Sequence, residues 1–245
     1  MSDIIANVEP IIASLGDLPA LPSIVAEVVE ITHNPSATMA QVSACIQRDP
    51  ALAAKILSVS NSPFYGLKQY VGTLKLALVV LGVREIRSIV LGISVYETLQ
   101  GGPSQDHEML RLWNHSVLVA GLCRKLGAAR SLGLQGEDFM AGLLHDIGKL
   151  VLVRQLGEPY SELYSQAGGA SGPLCTAELS SLGFTHAHAA AAVAAYWNLP
   201  RNLVDAFWLH HPTPDQSLAS AVDPRLAALV RVCNMAGHDD FQQPD

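Results

Sequence analysis

The sequence lacks paired cysteines, and this absence excludes two common ways of holding a small fold together. Its four cysteines, Cys45, Cys123, Cys175 and Cys233, are far apart and show neither disulfide-type nor zinc-type spacing. Each is most simply a small buried hydrophobic residue. Nothing local marks one of these thiols as a catalytic nucleophile.

A membrane span and a secretory signal are also missing from the pattern. The N-terminal segment is acidic and is expected to break at Pro10, so it lacks the basic start and apolar run of a signal peptide. Apolar runs such as 77–83 and 187–197 are interrupted by glycine or histidine, and they are shorter than the roughly 20 residues that cross a bilayer. We expect a cytoplasmic protein with no membrane partner.

Positive charge is scarce. Lysine and arginine total 15 against 22 aspartates and glutamates, which gives a net charge of -7. No segment gathers basic residues into the stripe that a phosphate backbone would need, which argues against nucleic acid as a partner. With 245 residues and 49% hydrophobic content, the chain is long enough for one large or two small folded units.

The alternation typical of a half-buried strand is nowhere sustained, whereas apolar residues recur at intervals of three and four. The pattern therefore predicts an all-α protein without a significant β-sheet. Helices are predicted over residues 22–34, 36–48, 50–60, 73–80, 83–98, 107–128, 137–155, 158–167, 173–182, 185–197, 201–210 and 223–236.

The clearest linker is Gly101-Gly102-Pro103-Ser104, where flexible and rigid helix breakers stand side by side. We place a boundary there, between an N-terminal helical subdomain at 1–100 and a second at 101–245. The two are expected to pack together as a helical bundle. A shorter break at 61–66 is expected to anchor a turn onto the core through Phe64 and Tyr65.

The second half contains a set of histidines on predicted helices or at their ends, with one aspartate beside them. A divalent ion needs several neutral imidazoles and at least one carboxylate from different elements, and helix bundles supply such groups from facing helices. A lone histidine in this set is more simply an ordinary core or surface residue, and we prefer that interpretation for His188. The candidate ligands are His115, His145, Asp146, His186, His210 and His211.

His145 and Asp146 lie inside an apolar run that ends in Gly148 and Lys149. Such a polar pair is costly to bury without a partner. On a continuous helix the two side chains would be about 100° apart, so both could reach one ion only beside their shared edge. Gly148 would allow another backbone or a substrate to approach closely. Lys149 could contact a phosphate as a point charge, or it could be an ordinary solvated lysine.

These segments, taken in order, resemble the HDOD domain, a signalling relative of the HD and HD-GYP metal-dependent phosphohydrolases. The resemblance covers nearly the whole chain. It rests on residues 18–22, 48–52, 61–66, 77–82, 113–115, 142–149, 178–186, 197–200 and 210–211.

Similarity to the HD phosphohydrolases places the six candidate ligands at metal-binding positions and Lys149 at that of a phosphate-contacting lysine. If the protein is active, Asp146 and Lys149 would be its catalytic residues. The implied cofactor is a divalent metal such as Fe, Mn, Zn or Ni. One departure is Asn234, which stands where these enzymes have a closing aspartate and offers the ion a neutral oxygen. A second is the segment 212–215, which replaces the Gly-Tyr-Pro segment associated with cyclic-di-GMP hydrolysis.

The resemblance implies an HDOD-type signal transduction module of a bacterial regulatory kind, non-catalytic or weakly catalytic, that binds a signalling protein or a nucleotide. The alternative is a metal-dependent phosphohydrolase acting on a nucleotide or another phosphate ester. In that case Asp205 could replace the missing carboxylate, although a solvated aspartate is the simpler interpretation. The oligomeric state stays open.

Overall fold

The computed structural model describes residues 4–16, 18, 20–34, 36–99, 106–134, 136–167, 171–212 and 217–241. These residues are helical and contain no strand, so the predicted all-α class is confirmed. No helix in these ranges is long and apolar enough to cross a membrane. The predicted linker at 101–104 lies outside the described residues.

The chain divides into two compact units, residues 20–98 and residues 1–19 with 99–245. The smaller unit contains helices α2 to α6, and α6 ends one residue into the larger unit. Their bounds are Ser23–His33, Met39–Ile46, Pro50–Ser60, Leu74–Leu81 and Val83–Leu99.

Local capping explains where helices of the smaller unit begin. The Asp49 carboxylate accepts a hydrogen bond from the Leu52 N–H at 3.0 Å, and Pro50 occupies the first helical turn of α4. Thr38 and Gln41 form a reciprocal capping box at the start of α3. These polar caps fix the helix ends at positions that sequence patterns identify to within a few residues.

The turn after α4 is held by one amide side chain. Asn61 donates to the carbonyls of Leu57 and Val71 and accepts from the Val71 N–H at 2.8 Å. The Tyr65 hydroxyl donates to Glu85 at 2.5 Å. Phe64 contacts the Tyr65 ring edge-on but keeps 41% of its surface exposed. The turn is thus anchored mainly by hydrogen bonds.

The larger unit contains α1 and helices α7 to α14. Their bounds are Ile4–Leu15, Asp106–Ala129, Glu137–Leu144, Ile147–Leu156, Glu158–Gln166, Ser171–Leu182, His186–Tyr196, Arg201–Trp208 and Pro224–Phe241. A single 3-10 turn at Leu218–Ser220 precedes α14.

Helix α12 is the centre of one half of this unit. It packs against α1, α9 and α13, and its alanines at 189–192 are buried. Small side chains let neighbouring helices approach closely, which suits a helix covered on several sides. A second group is formed by α7 with α8 and α14. The candidate ligands come from both groups.

Two expectations are wrong. The chain does not break at Pro10, which lies inside α1, and α1 belongs with the larger unit because it packs on α12. A proline removes one helical hydrogen bond, and the buried apolar residues Val8 and Ile11 hold this helix in place through tertiary contacts. The single helix predicted over 137–155 is two helices, since the backbone turns at His145 and Asp146 between α8 and α9.

Candidate metal centre

The structure brings all six predicted ligands together in the interior of the larger unit. Helix α7 supplies His115, α12 begins with His186, and His210-His211 follow α13. None of the six, nor Lys149 or Asn234, is more than 7% exposed. The cluster is therefore a closed, buried set of titratable groups.

The break between α8 and α9 explains how two adjacent residues serve one site. Asp146 has φ -97° and ψ 11°, outside helical geometry, so its side chain is not held 100° from that of His145. His145 Nε2 lies 3.3 Å from Asp146 Oδ2. The break removes the geometric limit that a continuous helix would impose.

One side of the Asp146 carboxylate faces two imidazoles and an amide. Asp146 Oδ2 lies 3.3 Å from His145 Nε2 and 3.6 Å from His115 Nε2. Asn234 Oδ1, from α14, lies 2.9 Å from His115 Nε2 and 3.2 Å from His145 Nε2. We call this group, His115, His145 and Asn234 around Asp146 Oδ2, the amide half.

The other side of the carboxylate faces three imidazoles. Asp146 Oδ1 lies 3.4 Å from His210 Nε2 and 3.5 Å from His186 Nε2. His186 Nε2 lies 2.8 Å from His211 Nε2. We call this group, His186, His210 and His211 around Asp146 Oδ1, the imidazole half. Asp146 is the residue common to both halves.

Three of the histidines donate a hydrogen bond from Nδ1, and this leaves Nε2 with a lone pair that faces the carboxylate. His145 Nδ1 donates to the Gly142 carbonyl at 2.7 Å, and His210 Nδ1 donates to the Phe207 carbonyl at 2.6 Å. His186 Nδ1 donates to Glu178 at 2.7 Å. A neutral imidazole has one N–H, so the Nε2 atoms of these three rings are acceptors.

Burial keeps the imidazole half neutral. It lowers the pKa of His186, of His210 and of His211 below the usual value for histidine, because a charged ring is poorly solvated there. Neutral histidine is the form that binds metal ions. The three rings are thus in the protonation state of ligands.

Asp146 and Lys149 keep their charges in the same interior. Burial acts to raise the pKa of Asp146, but the Lys149 ammonium group beside it lowers this pKa well below the usual range. Burial acts to lower the pKa of Lys149, and the attraction of Asp146 raises it above the usual value. Lys149 Nζ lies 2.6 Å from Asp146 Oδ2, and both side chains are 1% exposed. This is a buried ion pair on the oxygen that faces the amide half.

In the imidazole half, two buried polar atoms lack a hydrogen-bond partner among the described residues. They are Asp146 Oδ1 and His210 Nε2. A carboxylate oxygen and an acceptor nitrogen that lie 3.4 Å apart repel each other, and a cation coordinated by both removes this repulsion. An ion that binds ligands at about 2.1 Å places them about 3.0 to 3.4 Å apart, and the spacings here are 2.8, 3.4 and 3.5 Å. The donor set fits a divalent metal.

A further carboxylate supports the cluster from outside. Glu178 on α11 accepts from the backbone N–H of His186 at 3.0 Å and from the Tyr160 hydroxyl at 2.6 Å. Burial raises the pKa of Glu178 to about 7, while the Tyr160 hydrogen bond opposes this shift. The sequence motif contained Glu178, but the role of Tyr160 had no sequence signal, since the pair depends on how α10 and α11 pack.

Two residues weighed from the sequence lie outside the cluster. His188 belongs to the capping box of α12, where its Nδ1 accepts from the Thr185 N–H at 3.1 Å, and its ring stacks on Trp208. Asp205 is fully buried, not solvated as expected, and accepts from Arg201 at 2.6 Å and from the Val222 N–H at 2.8 Å. It ties α13 to the segment before α14, because both of its oxygens are engaged there.

The fold and the cluster define a class: an all-helical protein with a buried set of histidines around one aspartate. The HDOD domain family matches residues 18–213, and the chain belongs to this family.

Relatives agree with this assignment. An HDOD domain protein of unknown function from Geobacter sulfurreducens is 20% identical, with a TM-score of 0.77, over 95% of this chain and 76% of that one. A candidate phosphohydrolase from Shewanella amazonensis SB2B is 25% identical, with a TM-score of 0.74, over 98% of this chain and 82% of that one.

Among curated proteins, an uncharacterized protein from Treponema pallidum is 27% identical over 203 residues, which is 82% of this chain and 39% of that protein. A second, the uncharacterized protein YuxH of Bacillus subtilis, is 28% identical over 123 residues, or 50% of this chain and 29% of that protein. The chain thus spans well under half the length of the curated relatives it matches.

Proposed function

We propose that this protein is an HDOD-type regulatory module in signal transduction, non-catalytic or weakly catalytic, with a divalent metal ion in its buried His/Asp cluster. Its partner would be a signalling protein or a nucleotide. The metal part rests on the unpartnered Asp146 Oδ1 and His210 Nε2, which a cation would satisfy. The bound ion would supply positive charge and Lewis acidity among ligands from α12, from the turn between α8 and α9, and from the segment after α13.

The observation that carries the regulatory assignment is the engagement of Lys149. Similarity to the HD phosphohydrolases implies that Lys149 contacts a substrate phosphate. That role requires an ammonium group that a substrate can reach. Here Nζ is 2.6 Å from Asp146 Oδ2 and the side chain is 1% exposed. A substrate phosphate would have to displace a buried ion pair, and breaking such a pair costs about 3–5 kcal/mol.

Asn234 supports the same assignment. An amide oxygen carries no formal charge, so a metal in the half of the cluster beside His115 and His145 would have one fewer anionic ligand than with aspartate at this position. Such an ion would be bound with lower affinity. A water molecule bound to it would also lose one carboxylate that could orient it. Both effects reduce hydrolysis while leaving room for ion binding by imidazoles.

The test combines metal content with turnover. Protein purified without chelator is analysed by mass spectrometry and then assayed with bis(p-nitrophenyl) phosphate and added Mn²⁺, beside His145→Ala. We expect bound metal and no turnover above that of the variant. Turnover abolished by His145→Ala would overturn the non-catalytic assignment, and a folded protein without metal would overturn the metal part.

The phosphohydrolase alternative draws on the convergence of five candidate imidazole ligands around the sixth ligand, the Asp146 carboxylate, which a purely structural role does not require. The relative from Shewanella amazonensis agrees with it in name. If this alternative holds, Lys149 must leave Asp146 when substrate binds. The Mn²⁺ assay above separates the two proposals.

A further inference from the structure

In the amide half, protein groups alone can satisfy the buried polar atoms, whereas in the imidazole half they leave two atoms without a partner among the described residues. In the amide half, Lys149 Nζ neutralises Asp146 Oδ2 at 2.6 Å. The amide of Asn234 lies within 2.9 and 3.2 Å of two imidazole nitrogens. A half-turn of that amide about its Cβ–Cγ bond presents an NH₂ group, whose two hydrogens can donate to both rings.

An aspartate at position 234 could not do this. A carboxylate has no hydrogen to donate, and it would face the lone pair that His145 Nε2 presents, since His145 Nδ1 carries the ring proton to the Gly142 carbonyl. Asparagine thus allows the amide half to close without an ion. Lys149 supplies the positive charge that an ion would otherwise bring to Asp146 Oδ2.

The imidazole half has no equivalent groups. Its two unpartnered atoms, Asp146 Oδ1 and His210 Nε2, lie 3.4 Å apart. No lysine or amide nitrogen among the described residues hydrogen-bonds either atom. The His210 ring cannot help, because its N–H is directed at the Phe207 carbonyl. A cation coordinated by Asp146 Oδ1 and His210 Nε2 would satisfy both atoms at once.

We infer that the protein binds a single divalent ion, held in the imidazole half by His186, His210, His211 and Asp146 Oδ1, and that Asn234 and Lys149 take the place of an ion in the amide half. This inference rests on the metal part of the proposed function. It adds the stoichiometry, the location and the reason why the second position stays without metal.

The experiment uses the full chain, stripped with chelator and reloaded with Co²⁺. We expect one equivalent bound after dialysis. His210→Ala should weaken Co²⁺ binding by at least about 100-fold, since ligand loss exceeds the 10–100-fold effect of losing a supporting residue. His115→Ala, the matched variant of the amide half, should keep one equivalent with affinity within about tenfold.

A spectroscopic pair does not depend on affinity. His210→Cys would place a thiolate on the ion and add a near-ultraviolet thiolate-to-cobalt band to the wild-type spectrum, whereas His115→Cys would add none. The wild-type baseline accounts for the natural cysteines. Circular dichroism confirms that each variant is folded.

Asn234→Asp is the third arm, and it is expected to raise the bound Co²⁺ from one equivalent towards two. The inference is overturned if the wild type binds two equivalents, if the cobalt band appears in His115→Cys and not in His210→Cys, or if Asn234→Asp leaves the stoichiometry at one. In each of these cases metal is still bound, so the proposed function survives. A folded wild type that binds no Co²⁺ would overturn both.

Discussion

Glu178 accepts hydrogen bonds from both the ring and the backbone of His186, and its nearer carboxylate oxygen accepts one of each. Its Oε2 accepts the Nδ1–H of the ring at 2.7 Å and the backbone N–H of the same residue at 3.0 Å. The pair fixes both the tautomer of His186 and the position of the first residue of α12. The lone pair on Nε2 is thereby aimed at the cluster.

This arrangement predicts that Glu178→Gln weakens metal binding without unfolding the protein. The glutamine side chain retains an acceptor oxygen but lacks the negative charge that makes the His186 ring a stronger ligand. Loss of such a supporting group reduces metal affinity by about 10–100-fold. Isothermal titration with Zn²⁺ measures the change. Glu162→Gln, on the exposed side of α10, is the matched control and should have no effect. Equal affinities for both variants would contradict the supporting role.

The buried ion pair predicts a stability difference that depends on metal. Lys149→Met leaves the Asp146 carboxylate without its cation, so the ion-free protein should lose about 3–5 kcal/mol of its free energy of unfolding. A bound divalent ion restores positive charge beside Asp146, so the loss should be smaller after metal loading. Urea unfolding with EDTA and with Zn²⁺ compares the two states.

Lys55→Met is the control for this experiment, because Lys55 forms an ion pair with Glu97 in which both side chains are more than 45% exposed. An exposed pair contributes about 0–1 kcal/mol. A loss for Lys149→Met that is no greater than for Lys55→Met would mean that the buried pair contributes little.

The contact between α9 and α12 predicts a steric effect at Gly148. A Cβ added there would lie 1.9 Å from the His186 carbonyl oxygen and 2.7 Å from the Ala190 nitrogen, both backbone atoms. Gly148→Ala should therefore destabilise the protein by about 3 kcal/mol or more and should impair metal binding through His186.

The chain contains a matched control for this substitution. A Cβ on Gly172, in α11, would meet nothing within 4 Å, so Gly172→Ala should stabilise the protein by up to about 1 kcal/mol. Chemical unfolding of both variants gives the two values. Similar, small changes for both would refute the close approach of α9 and α12.

His188 predicts a pH dependence. Burial lowers its pKa to about 4, from about 6.5 in an unfolded chain, because a charged ring is poorly solvated there. The neutral ring accepts the Thr185 N–H and lies against Trp208. A group with a lowered pKa binds its proton more weakly in the folded state. Its contribution is therefore complete above pH 6.5 and is lost as the pH falls towards 4.

The measurement is the difference in the free energy of unfolding between wild type and His188→Gln at pH 7 and pH 5. The variant cannot titrate at this position, so the wild type should lose about 2 kcal/mol relative to it over this interval. Other buried histidines titrate in both proteins and cancel in the difference. A difference independent of pH would contradict the lowered pKa.

Much of the fold follows from the sequence because its helices carry clear local signals. Asp49-Pro50 starts α4 where the pattern predicts, and the apolar period of three and four identifies most other helices to within a few residues. Helix α1 was missed since Pro10 is a strong local breaker. Its stability comes from packing against α12, which no local pattern reveals.

The sequence predicts which residues form the cluster, but not how they are arranged in it. Histidine spacing and the resemblance predicted the residues that lie together in the cluster, and they singled out Asn234 as the departure. The engagement of Lys149 by Asp146 and the burial of Asp205 were not visible, because both depend on which residues face each other across the bundle. The turn at His145 and Asp146 was also unforeseen, since the apolar run around it reads as one helix.

That turn has a consequence for the helix that follows it. Asp146 occupies the N-cap of α9, a position where aspartate ordinarily binds the free N–H groups of the first turn, yet its side chain makes no such bond. The start of α9 forgoes about 1 kcal/mol of local stabilisation as a result. If the Asp146 side chain capped the N–H groups of α9, it could not also lie between the two groups of histidines. A side chain that belongs to a buried polar cluster can in this way leave a local helix-capping preference unfulfilled.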